Sequence, residues 1–148
     1  MISPNVLGFF PLFSGQSPEM MMKIANLADE KRVEAGYRLF FEGDEAKTLY
    51  LIQEGAIALT MIMGDHTAEL GPLGKGEVVG WSSIVKPHQY KLGAYARQSS
   101  ALVIINGEKL CRLFDDNPGF GYPFMQKLAE VIGDRLISKY VQIASLAG

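Results

Sequence analysis

The sequence is short of the residue types on which most enzymatic and metal chemistry rests. Its 148 residues include one cysteine, Cys111, two histidines, His66 and His88, and one tryptophan, Trp81. A lone cysteine excludes an internal disulfide and a cysteine-based zinc site, and fits a small apolar helix residue in a reducing compartment. Both histidines stand in turn-like contexts, and neither has a histidine three or four residues away with which to share a metal. Met20, Met21 and Met22 have no neighbouring His or Cys and read as core packing. An excess of positive charge is missing too. Lys and Arg number 14 against 16 Asp and Glu, a net charge of -2, so the basic footprint of a nucleic-acid binder is lacking. No apolar run approaches the ~20 residues of a membrane span. The opening "MISPNVLGFFPLFSG" lacks a basic start and is interrupted by Pro4 and Pro11, which makes it a poor signal peptide. The cytoplasm is the expected compartment, with no membrane partner.

Catalytic motifs are lacking as well. Ser82 and Ser83 stand outside any G-x-S-x-G elbow. "GPLGKGEVVG" is glycine-rich, but Gly76 follows Gly74-Lys75 where a P-loop needs Ser or Thr, and G-x-G-x-x-G does not occur in it. No enzyme activity, cofactor or metal is expected.

What the chain does have is a change of texture. Ser17-Pro18-Glu19 reads as a helix start, with a capping hydroxyl, proline at the first position and an acid at the positive end. Met21, Ile24, Ala25 and Ala28 follow at helical spacing, giving an N-terminal helix over about 17–28. Between about 31 and 106, short β-forming segments alternate with Gly36, Gly43-Asp44, Gly55, Gly64-Asp65, Gly74, Gly76 and Pro87. In "AIALTMIM", Ile57, Leu59 and Met61 mark one buried face, whereas "ALVIIN" is apolar on both faces and belongs inside. Without crossover helices between the strands, the pattern excludes a doubly wound sheet and fits a roll or barrel. Two helices over about 107–145 close the chain. "GEKLCRLFDD" carries Leu110, Leu113 and Phe114 on one face. Gly119, Gly121 and Pro123 weaken the start of the last helix, which is expected to become regular near Tyr122. Its stripe Ala129, Ile132, Leu136, Tyr140 and Ile143, at spacings of three and four, suits a seam against a second helix. The expected architecture is one domain over 1–148, mainly β with flanking helices.

The order of these elements, and above all "AGYRLFFEGDEAKTLYLIQEGAIAL" followed by "GKGEVVG" and "ALVIINGEKLCRLFDDNP", resembles the cyclic nucleotide-binding domain of the catabolite activator and Fnr-like proteins. The resemblance covers roughly Phe10 to Tyr140. It implies a double-stranded β-helix, a jelly-roll-like β-roll of eight strands, holding a phosphate-binding cassette. A long C-terminal helix would then dimerise and report on the ligand. In that family's transcription factors a helix-turn-helix domain follows; this sequence ends at Gly148, so DNA binding by the chain alone is not expected.

The cassette is where the sequence departs from the family. A glutamate that holds the ribose follows the entry glycine there, and an arginine followed by a small hydroxyl residue meets the phosphate. Here Gly80 matches, but Trp81 holds the glutamate position, and alignment from "LVIING" back through "AYA" sets Tyr90 at the arginine and Lys91 after it. A one-residue slip would bring Lys91 to the arginine position and invert the alternation of the strand. A guanidinium offers a charged fork to phosphate, a tyrosine offers one neutral hydrogen bond, and an indole cannot accept from a ribose hydroxyl. Cyclic AMP and cyclic GMP are therefore expected to bind weakly or not at all. Two readings stay open. The chain is a sensor domain, taking a small anionic or nucleotide-like ligand among Gly76, Glu77, Gly80, Trp81, Ser82, Ser83, Tyr90 and Lys91 and signalling through its last helix to an unidentified protein partner. Alternatively it is a non-binding oligomerisation module whose cassette is filled by its own aromatics. A homodimer is expected in either case.

Overall fold

The computed structural model describes residues 1–147. Helix α1 (Pro4–Leu7) and a 3-10 turn at Pro11–Phe13 precede α2 (Pro18–Asn26), where the Ser17 hydroxyl accepts the Met20 N–H at 3.1 Å. Eight strands follow: β1 Ala28–Val33, β2 Arg38–Phe40, β3 Thr48–Glu54, β4 Ile57–Met63, β5 His66–Leu73, β6 Val78–Val79, β7 Gly93–Ala96 and β8 Ser100–Asn106. A 3-10 turn, Trp81–Ser83, lies between β6 and β7. Helices α3 (Gly107–Asp116) and α4 (Pro118–Ala147) end the described chain.

The strands form two antiparallel four-stranded sheets, ordered β1-β8-β3-β6 and β2-β7-β4-β5. Alternation along the first sheet explains why β3, β6 and β8 are apolar on both faces. Leu49 and Leu51 of β3, Val78 of β6, and Val103 and Ile105 of β8 join a core shared with the helices. Their neighbours Ile52, Val79 and Leu102 join a second core, where Ile57, Ala94 and Ala96 of the other sheet meet them. The first sheet is thus the middle layer, covered by helices on one side and by the second sheet on the other.

Several expectations need correction. Helix occupies more of the described chain than strand does, α4 alone taking 30 residues, so the fold is two small sheets with substantial helical flanks rather than mainly β. Ala28 opens β1 instead of ending α2, and it is buried opposite Ile105. Met61 is 38% exposed: β7 stops pairing with β4 at Thr60, and beyond that point only β5 accompanies it, with no core beneath. The opening segment is structural, since Leu7, Phe10, Leu12 and Phe13 are all buried in the helical core. Helix α4 begins at Pro118 rather than near Tyr122. Gly121 is required there, because a Cβ at that position would lie 2.8 Å from the Cβ of Phe114 in α3.

Candidate functional site

The cassette is built on a glycine. Gly80 ends β6 in the left-handed region, with φ +81°, and starts the Trp81–Ser83 turn. A side chain there would be strained and also blocked, since a Cβ would sit 2.8 Å from the Thr48 carbonyl oxygen and 3.2 Å from the Tyr90 ring. The chain then makes a loop through His88, whose ring Nδ1 lies 3.2 Å from the Ser82 carbonyl. It returns at Tyr90, three residues before β7, so the strand expected to run from Tyr90 is shorter than its sequence pattern.

Tyr90 is 5% exposed and stacks on Phe40 of β2, with ring centroids 3.6 Å apart and planes 12° apart. Its hydroxyl donates to the Thr48 carbonyl at 2.7 Å and accepts from the Thr48 N–H at 3.1 Å. Both capacities of the phenol are spent on the main chain of β3. Burial raises its pKa, with the hydrogen bonds to Thr48 and Lys47 opposing the rise. Nearby Tyr50 is pushed up to about 12, chiefly by burial and then by its proximity to Tyr90. A phenol held in this way has no donor left for a ligand.

Beside this aromatic plug a cavity of about 90 Å³ remains. Gly80, Trp81, Ser82, Tyr90 and Lys91 line it, together with apolar residues of both sheets and Arg135 of α4. The other three expected site residues lie elsewhere. Gly76 faces a separate cleft, formed with Phe9, Glu30 and Arg32. Glu77 braces its own turn, where Oε2 accepts the Gly74 N–H at 2.7 Å. Ser83 is 2% exposed on the far side of the turn, packed against Gly107, with its hydroxyl unpartnered. The Ser83 N–H is donated to the Gly80 carbonyl, which leaves the Trp81 and Ser82 N–H groups at the start of the turn without a carbonyl partner in it.

Arg135 escapes a reading of the sequence. It is only half-buried, yet its guanidinium donates to the carbonyl of Val78, the first residue of β6 and two residues before Gly80. Burial lowers its pKa from the ordinary arginine value, while Glu77 partly restores it. In sequence it is one cation in an amphipathic helix, 55 residues from Gly80, and no local pattern links the two. Its neighbours Ile132 and Leu136 belong to the expected seam, but Arg135 falls outside that stripe, so the pattern gave no signal for it.

From Leu136 onward the expected seam is uncovered by the rest of the chain: Leu136, Tyr140 and Ile143 are 49%, 58% and 61% exposed. Ala129 is exposed, and Ile132 packs partly against the helical core. Among the described residues no helix is long and apolar enough to cross a membrane, and no cluster of His, Cys, Asp or Glu could hold a metal.

Residues 30–117 match the family model of the cyclic nucleotide-binding domain. The type II regulatory subunit of a cAMP-dependent protein kinase from Drosophila melanogaster is 28% identical over 92 residues, 62% of this chain and 24% of that protein. The cyclic AMP receptor protein of Thermus thermophilus is 27% identical over 96 residues, 64% of this chain and 44% of that protein. The chain thus spans less than half the length of these relatives. Among solved structures, a candidate cyclic nucleotide-binding protein from Geobacter metallireducens superposes with a TM-score of 0.84 at 29% identity, covering 92% of this chain and 99% of its own.

Proposed function

The chain belongs to the family of cyclic nucleotide-binding domains, and from that premise we propose that it is a regulatory sensor module. It folds as one unit, a jelly-roll-like β-roll with helical flanks, and works in the cytoplasm without catalysing a reaction. A small polar ligand enters beside Gly80–Ser82, and its presence is passed to α4. The observation that carries this reading is the bond from Arg135 to the Val78 carbonyl, because it ties the cassette entry to the helix one residue before the exposed stripe begins. Leu136, Tyr140 and Ile143 then pair with the same residues of a second copy about a two-fold axis, as an isologous seam does.

Cyclic AMP and cyclic GMP are poor ligands in this reading. In the register favoured by the sequence, Tyr90 stands where the family has its phosphate-binding arginine, and losing a buried charged partner costs roughly 2–5 kcal/mol. A second reading has its own support: with Tyr90 satisfied by Thr48 and stacked on Phe40, the cassette is already filled, and the domain acts as a dimerising scaffold. A thermal-shift screen with cyclic nucleotides, nucleoside phosphates and small anions separates the two. A ligand held only by the folded state, at a hundred times its Kd, adds about 2.7 kcal/mol to stability. A rise in the midpoint with any of these compounds supports the sensor. A dimer by light scattering with no rise across the set leaves the scaffold.

A further inference from the structure

The sensor reading leaves the class of ligand open, and the cavity narrows it. Pockets that enclose drug-sized molecules run to about 300–1,000 Å³. At about 90 Å³, in a cavity half open to solvent, this one suits a compact oxyanion better than a wholly enclosed base and ribose. Its charged lining is Lys91 and Arg135, two cations, and no carboxylate shares it.

Arg135 is also short of partners. The ion pairs among the described residues use Arg97 and Arg112 but not Arg135. Its bond to the Val78 carbonyl engages one of five N–H donors. Glu77 is the acid that acts on it most, yet a Glu77 oxygen is committed to the Gly74 N–H, and burial outweighs its influence on the guanidinium. A partly desolvated guanidinium that makes no contact ion pair, and feels Glu77 only through space, is stabilised further by an anion that reaches it. Lys91 and the Trp81–Ser82 turn line the same cavity, and the Trp81 and Ser82 N–H groups have no carbonyl partner within the turn.

We infer that the cassette cavity takes a small free oxyanion, of the inorganic phosphate or short carboxylate kind, held by Arg135 from α4 and Lys91 from the loop before β7. The positive charge that the family places on the strand is supplied here from the last helix. This rests on the reading that the cassette binds a ligand at all. Such an anion would bridge the turn and α4 directly, with no nucleotide base needed to reach the helix.

The test titrates inorganic phosphate, acetate and cyclic AMP separately into the full chain, following amide shifts by NMR. Saturable phosphate or acetate binding is expected, with the largest shifts at Trp81, Ser82 and Arg135. Arg135→Gln should weaken it at least tenfold and Lys91→Gln severalfold, while Arg135→Lys recovers part of the loss. Cyclic AMP should not compete. Lys91 is exposed, so Lys91→Gln tests the charge even if Arg135→Gln disturbs the helix. Oxyanion binding unchanged in both Gln variants overturns the inference. Cyclic AMP bound tightly while free oxyanions are not overturns it too, and leaves the cassette a ligand site. Wild type that binds none of the three overturns the inference as well, and the sensor reading is then decided by the wider thermal-shift screen.

Discussion

The two halves of α4 obey different constraints. Up to Leu128 the helix belongs to the core: Gly121, Phe124 and Leu128 are buried, and Phe124 packs against Phe13 and Phe114 with ring centroids 5.6 and 4.7 Å away. The Gln16 side chain also donates to the Phe120 carbonyl, which ties this half to the segment before α2. Beyond Arg135 the same helix carries Leu136, Ile137, Tyr140, Val141 and Ile143, all about half or more exposed, with no other element among the described residues over them. An isolated helix of that length is marginal in water, and apolar side chains in such number are not needed to keep it soluble. The first half is explained by intrachain packing. The second makes sense as a surface for another molecule, and Arg135 stands where one role gives way to the other.

The comparison can be broken at either end. Phe124→Ala should have the largest effect, removing a fully buried ring that joins three elements and costing about 3–5 kcal/mol in urea unfolding. A loss below about 1 kcal/mol would mean that the first half is not anchored as described. Gly121→Ala comes next. Its methyl group would press on Phe114, at a cost of about 1–3 kcal/mol, of which better helix propensity recovers up to about 1. A stabilised variant would show that α3 and α4 separate freely. The smallest effect on folding belongs to Leu136→Asp combined with Ile143→Asp. At dilute concentration the unfolding free energy should move by no more than about 0.5 kcal/mol, as for other exposed positions. Light scattering should nevertheless report half the wild-type mass. Wild type that is already a monomer at high micromolar concentration would end the two-half distinction.

Much of this architecture was legible in the sequence, and the failures share a cause. Gly55 was recognisable as a turn: its φ is +108° and a side chain would collide with Ser100. The two-faced apolar pattern of β8 was legible because the middle sheet imposes it residue by residue. Phe10, Leu12 and Phe13 gave no comparable signal, because their burial depends on α2 and α4, both distant in sequence. The start of α4 was misjudged for the same reason: the glycine that weakens a helix by itself is what lets this one approach Phe114. At the cassette, the sequence pointed to Gly80, Trp81, Ser82, Tyr90 and Lys91, which line one cavity. Local reading could not separate Ser82 from Ser83, which a single step of the 3-10 turn sends to opposite sides. Nor could it find Arg135, whose role exists only after α4 folds back.

The pair of hydrogen bonds between Tyr90 and Thr48 also limits where this sequence can go by mutation. A phenol both gives and receives a proton, and Thr48 uses it in both senses. Arginine only gives. Replacing Tyr90 with arginine would strand the Thr48 N–H without an acceptor, at about 1–3 kcal/mol, and would remove the ring that stacks on Phe40. Placing arginine at this position therefore has no downhill single step. It needs a second change that re-pairs Thr48 before an arginine is tolerated there, so the packing of Tyr90 resists that substitution as a single step.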